Sequence, residues 1–143
     1  HLAPLDSTFN FQLSTFSCST KMREGRLTQE FRDRTKRFAA SIIRLYVRLP
    51  KGRDEVQVCG KQMLRSGTSV AAHCREASRA RSDAEFVSKL GGGLQEADES
   101  QLWLELLREE CGVELAITQP IEQEAGELIA IITTIIRRTG GNS

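Results

Sequence analysis

From Thr28 onward the chain is written in a helical period. Phe31, Thr35, Phe38, Ile42, Leu45 and Leu49 fall at alternating spacings of three and four, which puts them on one face of a helix. The stripe stops at Leu49-Pro50-Lys51-Gly52, so a first helix is predicted over residues 28–49. A second stripe, Val56, Cys59, Met63, Gly67, Val70, Cys74 and Ala77, keeps the same spacing behind Asp54, a candidate N-cap. Its middle is made of small residues: Gly60, Ser66, Gly67, Thr68, Ser69, Ala71 and Ala72. Glycine inside a helix costs about 0.8–1 kcal/mol relative to alanine, so these positions imply that a partner backbone approaches closely.

Ser82-Asp83-Ala84-Glu85 reads as a capping box, in which the serine oxygen takes the Glu85 amide and the glutamate reaches back. Phe86, Leu90, Leu94, Ala97, Gln101 and Leu104 then carry a third helix to Cys111, with Gly112 placed to close it. A fourth is predicted after Thr118, with Pro120 in its first turn and Ile121, Ala125, Leu128, Ile132 and Ile135 on one side. Four helices with short links predict an all-α, antiparallel up-down-up-down bundle over residues 28–139. Residues 1–27, rich in Ser, Thr and Phe, have no sustained period and read as a tail, although Phe9, Phe11, Leu13 and Phe16 suit a short extended piece or an arm on a neighbour. Met22, the first methionine, is the expected native start, and residues 140–143 read as a frayed end.

At 143 residues, 39% hydrophobic and 27% charged, the chain is long enough to bury a core without disulfides or a metal. The longest apolar run, residues 128–132, is too short to cross a bilayer, so no membrane contact is expected. The net charge of +1 conceals a segregation. Residues 21–81 hold sixteen Lys/Arg against six Asp/Glu, whereas residues 82–143 hold four against twelve. That pattern suits either a basic face for nucleic acid or basic helices packed on acidic ones, within the fold or between subunits.

Chemistry has few candidates. Cys18, Cys59, Cys74 and Cys111 form no C-x-x-C pair, so no zinc site is expected, and reduced thiols in a cytoplasmic protein are the default. His73 is the one histidine beyond His1 and no E-x-x-H occurs, which removes the ligands of a di-iron bundle. No catalytic residue, cofactor or metal is assigned. His73 itself reads as a polar residue at a helix edge or a subunit contact.

The string Gln62-Met63-Leu64-Arg65-Ser66-Gly67-Thr68-Ser69-Val70-Ala71-Ala72-His73-Cys74-Arg75-Glu76-Ala77 resembles the second-helix signature of bacterial four-helix-bundle proteins encoded by intervening sequences of large-subunit ribosomal RNA genes. These are related to the accessory variability determinant of diversity-generating retroelements. Asp83-Ala84-Glu85-Phe86, Lys89-Leu90, Leu94-Gln95-Glu96-Ala97, Glu99-Ser100 and Trp103-Leu104-Glu105-Leu106-Leu107 resemble the family's third helix. The match covers residues 28–138 and is closer to the intervening-sequence type. It departs where the family shows Gly-Ala-Asn and this chain has Ala71-Ala72-His73, and where an aliphatic stretch is replaced by Gly91-Gly92-Gly93. Three glycines in mid-helix imply a close contact or a kink. The resemblance implies a ring, typically a homopentamer, without known enzymatic activity; the retroelement relatives bind nucleic acid and a reverse transcriptase.

The leading expectation is therefore a non-enzymatic oligomer whose basic surface binds RNA or DNA through phosphates. The alternative is a structural or protein-interaction ring, such as a reverse-transcriptase accessory protein. On the first helix Arg37, Arg44 and Arg48 fall in one sector about 120° from the apolar stripe, and Lys51 and Arg53 extend it, making the candidate nucleic-acid site. Arg65, Arg75 and Glu76 with Glu96 and Glu99 form a candidate polar network in which an arginine of helix two pairs with a carboxylate of helix three. Ile43, Val47, Ile129, Ile131 and Ile136 widen the apolar arcs of helices one and four and are the candidate oligomer interface.

Overall fold

The computed structural model describes residues 26–141. The expectations placed on residues 1–25, including Cys18, Met22 and the phenylalanine arm, lie outside them. Among the described residues there are four long α-helices and no strand: α1 Gln29–Arg48, α2 Asp54–Ser78, α3 Asp83–Glu109 and α4 Leu115–Ile136, which runs on into a π-helical turn at Arg137–Gly141. The links over residues 49–53, 79–82 and 110–114 turn each helix back on the last. The result is an up-down-up-down bundle in which α1 packs on α2, α2 on α3 and α3 on α4, while α1 and α4 meet over a small area. No described helix is long and apolar enough to cross a membrane.

The helix starts differ in detail from the sequence expectations. Thr28 caps α1 by accepting the Phe31 amide at 3.1 Å. Asp54 is not a cap but the first residue of α2; Arg53 holds the cap position without a side-chain bond, and Asp54 serves as an acid in the first turn. Ser82 accepts the Glu85 amide at 3.0 Å, yet the Glu85 carboxylate reaches one residue further than the box requires, to the Arg81 amide. Gly112, at φ 78°, ends α3, with the Val113 amide bonded back to the Leu107 carbonyl. Helix α4 begins three residues ahead of Thr118, which is a buried interior residue, so Pro120 lies inside the helix rather than in its first turn. Pro120 is exposed and forfeits one backbone bond there, a loss that the buried Thr118, Ala125, Leu128 and Ile132 of the same helix offset.

Phe31, Phe38, Ile42, Leu45, Val56, Met63, Val70, Leu90, Leu104, Leu107, Leu128 and Ile132 form the core. On α3 the buried stripe passes through Gly93 and Ser100 rather than the expected Leu94 and Gln101, which are half-buried. The stripe is displaced because α3 faces the small residues of α2: Ser100 donates to Ser66 at 3.0 Å in a fully buried contact. On the other side of α2 the small positions take side chains, not a backbone. A Cβ on Gly67 would stand 2.7 Å from Ile42 Cγ1, and one on Gly60 2.8 Å from Leu49 Cδ1.

The Gly91-Gly92-Gly93 run is a close contact, since α3 continues unbroken through it. A Cβ on Gly92 would lie 2.5 Å from the His73 ring, whereas Gly91 has open space around it. Arg26 and Leu27, assigned to the tail, are held on the bundle. The Arg26 amide donates to the Ser78 carbonyl and its guanidinium meets Asp83 at 2.6 Å and the face of Phe86, while Leu27 is buried.

Ion pairs close the seams. Arg34 of α1 binds Glu124 at 2.7 Å and Glu127 at 2.6 Å across the sparse α1–α4 contact, and these carboxylates hold its guanidinium more firmly protonated than usual. Arg108 of α3 grips Glu122 of α4 through Nε at 2.9 Å and Nη2 at 3.0 Å, and that pairing holds the Glu122 carboxyl below the usual carboxylate range.

Two outcomes follow for unfolding in urea. Gly67→Ala destabilises by about 1–3 kcal/mol because β-branched Ile42 has nowhere to move, while Gly91→Ala stabilises by about 0.8–1 kcal/mol from helix propensity alone. The folded Glu122 carboxyl titrates below its unfolded value, so its contribution is complete above the unfolded range near pH ~4.3 and is lost as pH falls through the folded value. Glu122→Gln therefore removes about 0.5–1 kcal/mol at pH 7 and flattens the acid limb of a stability-against-pH curve; an unchanged acid limb would contradict it.

Candidate functional site

The expected basic stripe divides when placed in the fold. Arg44, Arg48 and Lys51 are exposed and, among the described residues, have no carboxylate within ion-pair distance. Arg44 and Arg48 lie on the flank of α1 that also carries Arg34, the arginine turned to α4, and Lys51 follows in the link. Arg37, on the same flank, is half-buried and engaged. Arg53 is exposed but committed to its neighbour: its Nε and Nη2 both donate to Glu55, at 2.9 and 2.6 Å. A hydrogen bond from its own backbone and then the Arg53 pairing hold the Glu55 carboxyl below its usual range.

The candidate polar network is assembled in part. Arg65 reaches from α2 to α3, donating to Glu99 at 2.6 Å and to Glu96 at 3.5 Å. The Trp103 indole N–H donates to the same Glu99 oxygen at 3.0 Å, and this bond, ahead of the Arg65 pairing, holds the Glu99 carboxyl down. Arg75 and Glu76 stand outside this cluster. Glu76 faces Lys89 at 3.4 Å, and Arg75 is exposed with no partner among the described residues. Distance along the helix sets the difference, since Arg75 lies ten residues beyond Arg65, nearly three turns or about 15 Å past the level that meets Glu96 and Glu99.

Arg75 instead lines a groove that sequence reading missed. Lys36 of α1, Arg75 and Arg79 at the end of α2, Arg81 in the following link and Lys89 of α3 converge around a floor of Ala71 and Ala72, in a cavity of about 790 Å³. Glu76 and Glu85 are the acids of its lining. The i, i+4 spacing of Arg75 and Arg79 was a visible signal, but only the fold brings Lys36 and Lys89 to them.

The remaining candidates sort by burial. Ile43 is 46% and Val47 62% exposed, an apolar pair on the outside of α1. Ile129, Ile131 and Ile136 are half-buried and packed against the core of their own chain. The reactive side chains are spent in packing. The Cys74 thiol is pushed up to about 12 by burial, and Cys111 is raised by burial and by the adjacent Cys59 thiol. His73 lies over Gly92 and Gly93, its Nδ1 buried without a hydrogen-bond partner. Among the described residues no cluster of His, Cys, Asp and Glu is arranged to hold a metal.

Residues 28–134 match the family described as 23S rRNA-intervening sequence protein. A solved structure from Bacteroides thetaiotaomicron VPI-5482, a protein of unknown function from the S23 ribosomal protein family, is 37% identical over 74% of this chain and 97% of its own, with a TM-score of 0.65. No curated protein matches the chain. With the family's match spanning the four helices and a 37% identical protein of known structure sharing the fold, the chain belongs to the 23S rRNA-intervening sequence protein family.

Proposed function

We propose that this chain is a non-catalytic, self-associating bundle that binds the phosphate backbone of RNA or DNA without reading base sequence. The observation that carries this reading is the local excess of cations on α1, the end of α2 and their links that remains once the seams are closed, in a chain whose net charge is only +1. Arg26, Arg34, Arg53 and Arg65 are taken by carboxylates, but Arg44, Arg48 and Lys51 on α1 and its link, and Arg75, Arg79 and Arg81 at the far end of α2, have no such partner among the described residues. Unpaired surface cations cost little in water and attract a polyanion over a Debye length of about 10 Å at 0.1 M salt. A non-catalytic role is supported by the burial that suppresses the Cys74 thiolate and by the enclosure of His73 against glycine.

Self-association is supported by Ile43 and Val47, apolar side chains exposed on α1, which meets α4 over a small area. A second reading, a purely structural assembly, draws on Arg34, which shows that cations of α1 do satisfy acids of α4. Fluorescence anisotropy with 20-nucleotide RNA and DNA between 50 and 300 mM salt tests the choice. Binding to both, with log K falling linearly against log salt, is expected; no binding at 50 mM salt would leave the structural assembly. Sedimentation at micromolar concentration is expected to give an oligomer that Val47→Glu disperses. The combined Arg44→Gln, Arg48→Gln and Lys51→Gln variant lowers nucleic-acid affinity several-fold while sedimenting as wild type; if it falls apart instead, these cations serve subunit contacts.

A further inference from the structure

We propose that the groove where α1, α2 and α3 meet, rather than the α1 stripe, is the principal seat for the phosphates of a bound polynucleotide strand; this rests on the nucleic-acid reading above. Three features set the groove apart. The first is concavity. Arg44, Arg48 and Lys51 lie along a convex helix and its link, whereas Lys36, Arg75, Arg79, Arg81 and Lys89 line one shallow, open groove of about 790 Å³, where cations from three helices and a link can act on the same anion.

The second is availability. Lys36, Arg75, Arg79 and Arg81 have no carboxylate partner among the described residues, so an incoming phosphate displaces no ion pair at these four. The two acids are occupied: Glu76 faces Lys89 at 3.4 Å, and Glu85 accepts the Arg81 amide at 3.0 Å in closing the start of α3. Arginine forks suit phosphate oxygens in pairs, and two of them, Arg75 in the last turn of α2 and Arg79 at its C-cap, stand four residues apart.

The third is the floor. Ala71 and Ala72 present no atom beyond Cβ, so a sugar–phosphate chain can descend to the helix surface without meeting a long side chain. Nothing in this arrangement selects a base, in keeping with binding through phosphates alone.

The test compares the full chain with two triple variants, Arg75→Gln/Arg79→Gln/Arg81→Gln in the groove and Arg44→Gln/Arg48→Gln/Lys51→Gln on the stripe. Each is first shown by urea unfolding to keep the wild-type midpoint. Anisotropy with the labelled 20-mers at 100 mM salt is expected to show at least a thirtyfold loss for the groove variant against a several-fold loss for the stripe. The slope of log K against log salt should fall by about 2 for the groove variant, as each lost single-strand phosphate contact removes about 0.7. In parallel, inorganic pyrophosphate alone is titrated into the wild type and followed by amide chemical shifts. Shifts in residues 71–89 with none in residues 44–51 support the groove. An equal or smaller loss for the groove variant than for the stripe variant overturns the proposal, as do pyrophosphate shifts confined to the stripe. Wild-type protein that answers pyrophosphate in the groove but binds neither oligonucleotide overturns the polynucleotide reading and leaves a site for small phosphate compounds.

Discussion

Two helices have to seat on opposite flanks of α2 at once, and that requirement shapes everything else in the bundle. On the α1 flank, Gly67 and Gly60 receive Ile42 and Leu49 at distances where a Cβ would intrude. On the α3 flank, Ser66 meets Ser100, and Val70 and Cys74 lie against Gly93. Helix propensity is given up at each glycine, about 0.8–1 kcal/mol apiece, in return for close contact along both seams. The buried Ser66–Ser100 hydrogen bond adds register, because a serine shifted by one residue would leave a polar group unpaired in the core.

The same close seating accounts for His73. The His73 ring needs room across the seam, and the glycines at 92 and 93 provide it. The helix stays unbroken through the three glycines, with His73 seated over Gly92 and Gly93. Gly91, with open space around it, takes no part in that contact.

Charge works on a different scale. The opposite signs of the two halves of the chain are partly consumed at the edges of the bundle, where Arg34 reaches Glu124 and Glu127, and Arg65 reaches Glu96 and Glu99. Such half-exposed pairs orient the helices more than they stabilise them. Lys36, Arg44 and Arg48 of α1 and Lys61 and Arg75 of α2 face water, so part of that asymmetry survives folding.

The sequence by itself determined the four helices, most of their buried faces and the shortage of reactive groups, because a period of 3.6 and the positions of Gly, Ser and Pro are local properties. It also pointed to an arginine of α2 meeting Glu96 or Glu99 of α3, but left Arg65 and Arg75 as equal candidates, and only the register of α2 against α3 selects Arg65. The start of α4 was misplaced because Pro120 is a strong local signal for a first turn, and only the burial of Thr118 and its neighbours shows the helix starting earlier. The partition of the cations was decided by tertiary structure. Arg53 and Lys51 are near neighbours in sequence, yet one is engaged by Glu55 and the other faces solvent. Lys36 and Lys89 are separated by more than a whole helix and still line one groove, since which charges converge depends on how far each helix is rotated and slid against the next, and side-chain packing on α2 fixes that.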